Sequence, residues 1–377
     1  MKEGEKTTAL ISSVGADGEQ PVHKNNNKII ANPLKQSNEQ TAKSPEKSGC
    51  CGLETITMAE LYDTVYPARS PIVDGFLYGG TYLFVGAPKV GKSFFMAQLA
   101  YHVAEGLALW DYPVHQGTVL YLALEDDYAR LQKRLSRMFG IECSDNLYLA
   151  KQAKALNEGL EQQLEAFIQT HPDTRLIIID TLQKVRETGN DRSSYANDYD
   201  IVTKLKSFSD RYGICLLVVH HTRKLESEDS FDMISGTNGL LGAADGAFIM
   251  QKKKRTSNTA VMDIVGRDQQ DQELTIDFDR ERCIWKLTKT ETELWKAPPD
   301  PVLEAVAGLV FPDRPEWCGS PSELLEKLPE LHIPANVLTR RLNVSAGQLY
   351  NEYSICYESK RTHNGRLVIL NLIQNQA

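Results

Sequence analysis

The stretch YLFVGAPKVGKS, from Tyr82 to Ser93, decides the fold that we predict for this chain. An apolar run typical of a strand leads to Gly86, and after four intervening residues comes the triplet GKS, Gly91 to Ser93. The sequence that follows, FFMAQLAYHVAEGL, has the apolar spacing of a helix. Glycines at these positions let backbone N–H groups close around phosphate oxygens, and the helix N-terminus adds partial positive charge at the same point. The stretch therefore predicts a nucleotide-binding loop.

This phosphate loop assigns roles to individual residues. Lys92 is expected to reach the β- and γ-phosphates of ATP, and the hydroxyl of Ser93 is expected to bind Mg²⁺. ATP and Mg²⁺ are thus the small molecules that the chain is predicted to bind. The residues predicted to contact the nucleotide are Gly86, Ala87, Pro88, Lys89, Val90, Gly91, Lys92, Ser93 and Phe94.

Length and composition limit the remaining possibilities. A chain of 377 residues exceeds a typical single domain, and a hydrophobic fraction of 41% suits a buried core. The net charge of -8 argues against a uniformly basic surface, so any nucleic-acid surface must be local. No apolar run approaches the roughly 20 residues that span a bilayer, and the N-terminus lacks a signal-peptide core. We therefore expect a cytoplasmic protein with no membrane partner.

Composition divides the chain into three predicted parts. Residues 1–50 are polar with few aromatics, which predicts a disordered tail, with a tether or partner-binding segment as the alternative. Residues 51–296 are predicted to form an ATPase core, and 297–377 a small C-terminal domain. The helix signals and β-rich ending of this last domain are consistent with a winged helix-turn-helix, for which DNA binding and protein docking or oligomer support both stay open.

Two apolar runs after the phosphate loop end in acids. The run VLYLAL is followed by Glu125, and the run LIII closes on Asp180. Continuous apolar runs favour parallel strands covered on both faces, and carboxylates at the carboxyl ends of such strands lie at the ligand-binding edge of an open α/β sheet. Since Asp126 or Asp127 is expected to cap the next helix, Glu125 is the acid placed in the site. Asp180 is expected to hold Mg²⁺ directly or through water.

A further predicted strand, Ile214 to Val219, ends in the polar sequence HHTRK. A neutral imidazole of His220 or His221 could sense the γ-phosphate through a hydrogen bond, although a surface turn explains the sequence about as well. The adjacent bases, and those of the polar loop after Asp180, could meet phosphodiester groups. The residues predicted to contact DNA are Arg186, Arg192, Arg223 and Lys224.

The second half of the core has a different pattern. A polar, glycine-rich connection leads into an apolar strand at Ala247 to Met250, and three alternating segments with short turns follow. These segments predict an antiparallel extension of the sheet. Arg267 lies just past one of them and could project toward a neighbouring subunit.

With these residues in place, the chain resembles the RepA-like branch of RecA-fold hexameric ATPases, which contains replicative helicases of some broad-host-range plasmids. The resemblance covers about residues 56–288 and rests on five motifs in one order: GAPKVGKS, YLALEDD with RLQKRL, LIIIDTLQKVR, LLVVHHTRK and SGTNGLLGAADG. It implies an α/β fold with a RecA-like P-loop core, ring assembly, and ATP hydrolysis coupled to movement along single-stranded DNA. A hexamer, with a replication initiator or primase as a further partner, is the implied assembly.

The resemblance also implies roles for residues of the site. Glu125 would polarise the attacking water, Asp180 would support the metal, and one of His220 or His221 would sense the γ-phosphate. Arg134, in the helix after Glu125, would face the nucleotide or the DNA. The acid Asp245 lies where some relatives carry a basic residue, so Arg267 is favoured as the arginine finger that a neighbour supplies.

Two other functions fit parts of the sequence. One is an initiator or regulator whose C-terminal domain reads duplex DNA while ATP only controls assembly, without translocation. The other is a small-molecule P-loop kinase, but the sequence shows no lid-like Arg-rich insertion. The leading prediction is a DNA-dependent ATPase and helicase that serves replication of a plasmid or mobile element.

Overall fold

The computed structural model describes residues 53, 55–66, 69–186, 194–221, 238–252, 254, 256–267, 269–291, 298–363 and 365–373. The predicted disordered tail lies outside these residues, as do Arg192, Arg223 and Lys224. None of the described helices is long and apolar enough to cross a membrane.

The described chain alternates strands and helices and then becomes mainly β-structured. Its helices are α1 (Met58–Asp63), α2 (Lys92–Glu105), α3 (Tyr128–Phe139), α4 (Leu160–Thr170), α5 (Leu182–Val185), α6 (Ser194–Tyr212), α7 (Asn238–Ala243), α8 (Pro301–Ala307), α9 (Pro321–Glu326), α10 (Ala335–Val344) and α11 (Ala346–Tyr353). Its strands are β1 (Pro71–Val73), β2 (Leu77–Tyr78), β3 (Gly80–Gly86), β4 (Thr118–Ala123), β5 (Leu147–Ala150), β6 (Thr174–Asp180), β7 (Cys215–His221), β8 (Gly246–Gln251), β9 (Thr259–Gly266), β10 (Gln272–Asp279), β11 (Ile284–Thr290), β12 (Glu316–Gly319), β13 (Ile355–Thr362) and β14 (Gly365–Leu372).

A nine-stranded sheet organises the core, in the order β11-β10-β9-β8-β3-β7-β6-β4-β5. The six strands from β8 to β5 in this order are parallel, and β9, β10 and β11 extend the sheet antiparallel. Strand β7 separates β3, which leads into the phosphate loop, from β6, which ends in Asp180. The predicted α/β class, with a mostly parallel sheet and an antiparallel extension, is confirmed.

Alternation along the central strand explains why helices cover both faces of the sheet. Tyr82 and Phe84 of β3 belong to one buried cluster, with α2, whereas Leu83 and Val85 belong to another, with α4 and α6. All seven residues of β3 are buried, so the strand has no polar face. The continuous apolar run therefore marks a central parallel strand.

Local signals account for most of the element boundaries. Asp127 caps α3, since its side chain accepts the backbone N–H of Arg130, and Ser320 caps α9 in a capping box. The helical apolar pattern of residues 157–170 predicts one helix, but Gly159 takes a left-handed φ of 112° between a 3₁₀ turn and α4 and interrupts it.

The C-terminal residues form a three-stranded sheet in the order β12-β14-β13, with its own buried cluster around Trp317, Leu338 and Leu370. The sequence predicts only the β13–β14 hairpin. Strand β12 has four residues and half of them are exposed, so it carries no clear alternation. We call α8 to α11 with β12 to β14 the C-terminal module; its helices and wing-like hairpin follow the predicted pattern, and its limits as a domain remain a prediction.

Helix α1 packs on the C-terminal module. The carboxylate of Asp63 lies 3.1 Å from Arg340 Nε and 3.5 Å from Arg366 Nη2, and the Asn343 side-chain amide donates to the carbonyl of Tyr62 at 2.9 Å. Val65 packs against the buried cluster of the module. Residues at the start of the predicted ATPase core therefore help to complete the last part of the chain.

Candidate nucleotide-binding site

The phosphate loop begins where β3 ends and closes at the N-terminus of α2. Two of its residues, Lys89 and Gly91, have left-handed φ values of 67° and 112°. At Gly91 a Cβ atom would also lie 2.6 Å from the Trp285 ring, so only glycine fits both the conformation and the space. Gly91 is the N-cap of α2 and no side chain caps this helix, which leaves the first N–H groups of α2 directed at the loop. The backbone therefore has the form of an anion site.

Lys92 lies inside this loop. Its Nζ donates hydrogen bonds to the carbonyls of Gly86 at 2.6 Å and Ala87 at 3.0 Å, and it lies 2.9 Å from His221 Nδ1. Burial lowers the pKa of Lys92 to about 8, although Asp180 and Glu125 act to raise it. The buried ammonium group is thus held by weak acceptors that a phosphate oxygen can replace.

Of the two adjacent histidines, His221 is the one that reaches the loop. Because a lysine ammonium only donates, its contact makes Nδ1 the acceptor and leaves the ring proton on Nε2. Nε2 lies 3.9 Å from Glu125 Oε2. Burial and then the charge of Lys92 lower the pKa of His221, so the ring is neutral at neutral pH. His220, the other predicted sensor, precedes it in β7 and pairs with Val85 of β3.

Asp180 ends β6 on the same edge of the sheet. It is 6% exposed, and its carboxylate accepts hydrogen bonds from Ser93 and, at 3.0 Å, from Tyr121 Oη. Burial raises the pKa of Asp180, while the bonds from Ser93 and Tyr121 oppose the rise. The hydroxyl and carboxylate that the sequence predicts as Mg²⁺ ligands are therefore neighbours.

This oxygen pair fits a magnesium ion that is shared with a nucleotide. Mg²⁺ prefers one or two protein oxygens, completed by substrate phosphates and water. Among the described residues no group of three or more His, Cys, Asp and Glu side chains forms a metal cage. Ser93 and Asp180 are thus the residues that would hold Mg²⁺ here, together with phosphate oxygens.

Glu125 follows β4 and is fixed from one side. The hydroxyl of Thr181 donates to its Oε1 at 3.2 Å, and its Oε2 is the oxygen nearest His221. The neighbouring Asp126 points elsewhere, because it pairs with Arg134 Nη2 at 2.7 Å. The Arg134 guanidinium in turn lies 5.1 Å from the ring centre of Phe94, just after the phosphate loop. Glu125 therefore keeps one carboxylate oxygen available in the site.

The exchange Glu125→Gln provides a test of this arrangement. We expect the variant to bind ATP and to lose hydrolysis by about 10²- to 10⁴-fold, because an amide cannot accept the proton of the attacking water. Steady-state turnover and equilibrium ATP binding should be measured together. The matched control is Asp127→Asn, since asparagine caps a helix as well as aspartate does and turnover should be retained. Wild-type turnover in Glu125→Gln would place the base elsewhere.

Arg267 lies at the opposite side of the sheet, near the amino-terminal ends of the parallel strands. It follows β9, whose last residue Gly266 pairs with Gly246 at the start of β8, and it is exposed. Its backbone N–H donates to Asp245 and its guanidinium to Gly242, both at 2.9 Å. Asp245, which bonds the Arg267 backbone, is level with Thr81, so five residue steps along β3 to Gly86 put Arg267 about 17 Å from the phosphate loop. Arg267 therefore cannot reach the phosphate loop of its own chain.

Asp245 is a buried ion-pair centre. Its side chain is fully buried, and it lies 2.6 Å from Lys206 Nζ and 2.9 Å from Arg69 Nη1. Burial would raise its pKa, but the bonds from Lys206, the Thr81 backbone N–H and Arg69 outweigh burial and lower it. The departure from the motif at this position thus has a structural explanation, and the cluster anchors the backbone that carries Arg267.

Thr181, Tyr121 and Trp285 bond Glu125, Asp180 and Gly91, although no motif of the sequence predicts these contacts. Thr181 directly follows Asp180, and Tyr121 lies two residues before Ala123, which pairs with Asp180 across the sheet. The position of each residue in or directly after its strand, relative to Asp180, could therefore have predicted its contact. Trp285 has no such signal, because it lies 194 residues from its partner Gly91. Of the basic residues predicted to contact DNA, only Arg186 is described, and it lies directly after α5 beyond Asp180.

Solved structures resemble the chain only in part. A DnaB-like replicative helicase, described with its interactions with primase, has a TM-score of 0.47 at 14% identity, covering 56% of this chain and 57% of that one. A separately solved ATPase domain gives 0.47 and 14%, over 56% of this chain and 85% of that one. A KaiC-like protein, PH0186 from Pyrococcus horikoshii OT3, gives 0.42 and 13%, over 60% and 100%.

Among curated proteins no sequence matches the chain. The phosphate loop, Glu125, Asp180 and His221 all fall within the part of the chain that has a family match. Residues 51–227, somewhat less than half of the chain, match the family described as an AAA domain.

Proposed function

We propose that this protein is an ATP-driven motor on single-stranded DNA, a ring-forming replicative helicase of a plasmid or mobile element. The observation that carries the proposal is that the predicted catalytic residues lie at the two opposite ends of the parallel strands. Arg267 is exposed near the amino-terminal ends of these strands. The other site residues lie at the carboxyl-terminal ends: Lys92, Ser93, Glu125, Asp180 and His221. Subunits that meet edge to edge would complete one another's sites.

Each side chain has a distinct part in the proposed hydrolysis of ATP. Lys92 would exchange the carbonyls of Gly86 and Ala87 for β- and γ-phosphate oxygens, which are stronger acceptors. Ser93 and Asp180 would hold Mg²⁺, which neutralises phosphate charge when it is bound. Glu125, with Oε1 fixed by Thr181, would accept the proton of the attacking water at Oε2.

His221 would connect the bound phosphates to the residues that are predicted to contact DNA. It contacts Lys92 through Nδ1, and the chain continues from it into residues 222–237. The neighbouring strand β6 leads through α5 into residues 187–193, so both connections start from adjacent strands at the same edge. These connections carry Arg192, Arg223 and Lys224, and they are the segments we assign to single-stranded DNA together with Arg186. A change in the phosphates could therefore move DNA contacts through one side chain.

The partners follow from this mechanism. A hexamer is the proposed assembly because a closed ring gives every site a neighbour's arginine and encloses a strand. A replication initiator or a primase is the proposed accessory partner of a replicative helicase. The N-terminal 50 residues and the C-terminal module are the parts of the chain assigned to such contacts.

The deciding experiment is steady-state ATP hydrolysis by the full chain, with and without single-stranded DNA, beside Lys92→Ala. We expect strong stimulation by single-stranded DNA, weaker stimulation by duplex DNA of equal length at the same salt concentration, and no turnover in the variant. Salt must be fixed because phosphate contacts depend strongly on it. Lys92-dependent hydrolysis that ignores DNA would keep the ATPase and contradict the motor.

A second candidate function is an ATP-regulated initiator or regulator that binds duplex DNA without translocation. The wing-like hairpin β13–β14 beside α10 and α11 favours it. Against it, two basic residues of α10 are engaged within the chain, since Arg340 pairs with Asp63 and Arg341 forms a bidentate pair with Asp300. Sequence-specific duplex binding by the full chain, without unwinding, would favour this candidate over the motor.

A further inference from the structure

The antiparallel extension of the sheet reaches back to the phosphate loop. Strand β11 lies four strands from β3, a distance of about 19 Å along a flat sheet. Nevertheless Trp285, near the start of β11, contacts Gly91 next to Lys92. The sheet must therefore curl around α2, and the curl brings its edge strand under the loop.

The contact between Trp285 and Gly91 is specific. The indole Nε1–H donates to the Gly91 carbonyl at 3.2 Å, and that carbonyl also accepts the N–H of Phe95 in the first turn of α2. Trp285 is 1% exposed, so water does not compete for its N–H group. The ring also occupies the space in which a Cβ of Gly91 would lie. Both the conformation and the position of Gly91 are thus set by one side chain from β11.

Trp285 is itself held in place from two helical turns further along α2. The buried amide of Gln98 donates to the Trp285 carbonyl at 2.9 Å and accepts the Trp285 N–H at 2.8 Å. Trp110 Nε1 donates to the same carbonyl at 2.8 Å. Because Gln98 is only 3% exposed, loss of this pair would leave buried polar groups without partners. The backbone of Trp285 is therefore fixed relative to α2.

Aromatic and charged neighbours complete the setting. The ring centre of Phe278 in β10 lies 4.9 Å from that of Trp285 and 5.2 Å from that of Phe94, which follows Ser93. Lys252, directly after β8, places its Nζ 5.0 Å from the Trp285 ring centre. The phosphate loop, helix α2, strands β10 and β11 and the residue after β8 thus meet at one indole.

We propose that Trp285 is a positioning residue for nucleotide binding, and that it holds Gly91 and the N-terminus of α2 in the geometry that binds phosphate. This role rests on the proposed function, because it requires that the loop bind a nucleotide. The role of Trp285 makes the antiparallel extension part of the site. It also means that nucleotide binding to the loop changes the surroundings of the indole. Trp285 touches no reacting atom and acts through Gly91.

The test combines Trp285→Phe with the emission of the tryptophans. Phenylalanine keeps a ring but loses the N–H donor. ATP affinity should therefore fall and KM should rise by about 2- to 10-fold, the change that corresponds to one hydrogen bond, while kcat is retained. Nucleotide should change the tryptophan emission of the wild type and of Trp317→Phe, but not of Trp285→Phe. Trp317 is the matched control because it is a buried indole of the C-terminal module.

The outcomes separate this role from simple loss of structure. A destabilised variant would show a lower melting temperature and a lower kcat at unchanged KM, and that result would overturn the positioning role. Unchanged ATP affinity in Trp285→Phe would overturn it as well. If Trp285→Phe does not fold, the wild type and Trp317→Phe still decide, since an emission that nucleotide leaves unchanged contradicts the proposal. Failure of the wild type to bind nucleotide in a filter assay would instead contradict the proposed function itself.

Discussion

Replacing Lys92 by alanine is expected to abolish ATP turnover. Lys92 is 4% exposed, its ammonium group lies where the loop carbonyls and His221 converge, and α2 offers no second cation at that point. Alanine would leave backbone N–H groups to bind phosphate, but it would remove the charge that stabilises the transferring group. Turnover should be measured at saturating ATP, so that weaker binding is not mistaken for slower chemistry.

The matched control is Lys133→Ala on the exposed face of α3, which removes the same charge and should leave turnover unchanged. Lys92→Arg is a stricter variant. It keeps the charge, but a planar guanidinium does not replace a compact ammonium in a closed loop, so little activity should return. Normal turnover in Lys92→Ala would remove the central assignment of the site.

Replacing Arg267 by alanine is expected to slow ATP turnover by about 10³- to 10⁵-fold, the range for arginine fingers, with ATP affinity little changed. The residue is exposed and lies about 17 Å from its own phosphate loop, measured by the rise of five residues along β3, so the loss requires a neighbouring subunit. Arg211→Ala is the control, because this arginine is also exposed and lies just before β7, near the amino-terminal ends of the parallel strands. Its side chain pairs with Glu161.

Mixing two inactive variants tests the origin of the finger directly. Subunits with Arg267→Ala keep Glu125, and subunits with Glu125→Gln keep Arg267. If the finger comes from a neighbour, about a quarter of the interfaces in a randomly mixed ring regain both groups, and activity returns. If mixing restores nothing while each variant still assembles, Arg267 is not the group supplied in trans.

The sequence predicts those parts of the fold that depend on local patterns. The runs that become β3, β4 and β6 are continuous and apolar because these strands are buried on both faces. Strands β5 and β12 escape prediction because each has four residues and neither is fully buried. Gly159, which interrupts the predicted helix before α4, shows how one backbone conformation overrides a helical apolar pattern.

The site divides in the same way. Lys92, Glu125 and Asp180 stand at the ends of recognisable strands, so chain order and register are enough to predict that they share an edge. The sequence leaves His220 and His221 equivalent, and the orientation of the β7 side chains distinguishes them. Trp285 depends on the curl of a whole sheet, which no short stretch of sequence encodes. Arg192, Arg223 and Lys224 lie outside the described residues, and their roles stay predictions.

The docking of α1 on the C-terminal module has a consequence for synthesis of the chain. Asp63 and Arg340 are 277 residues apart, so at about 5–20 residues per second Asp63 leaves the ribosome about 14–55 s before its partner. During that interval Val65 has no cluster to pack against, and Met58 and Leu61 are exposed even in the folded chain. The ATPase core can form first, but the module closes only when both ends of the folded chain exist. A chain that stops before residue 340 would therefore leave the apolar side chains of α1 and Val65 exposed, and chaperones could bind them.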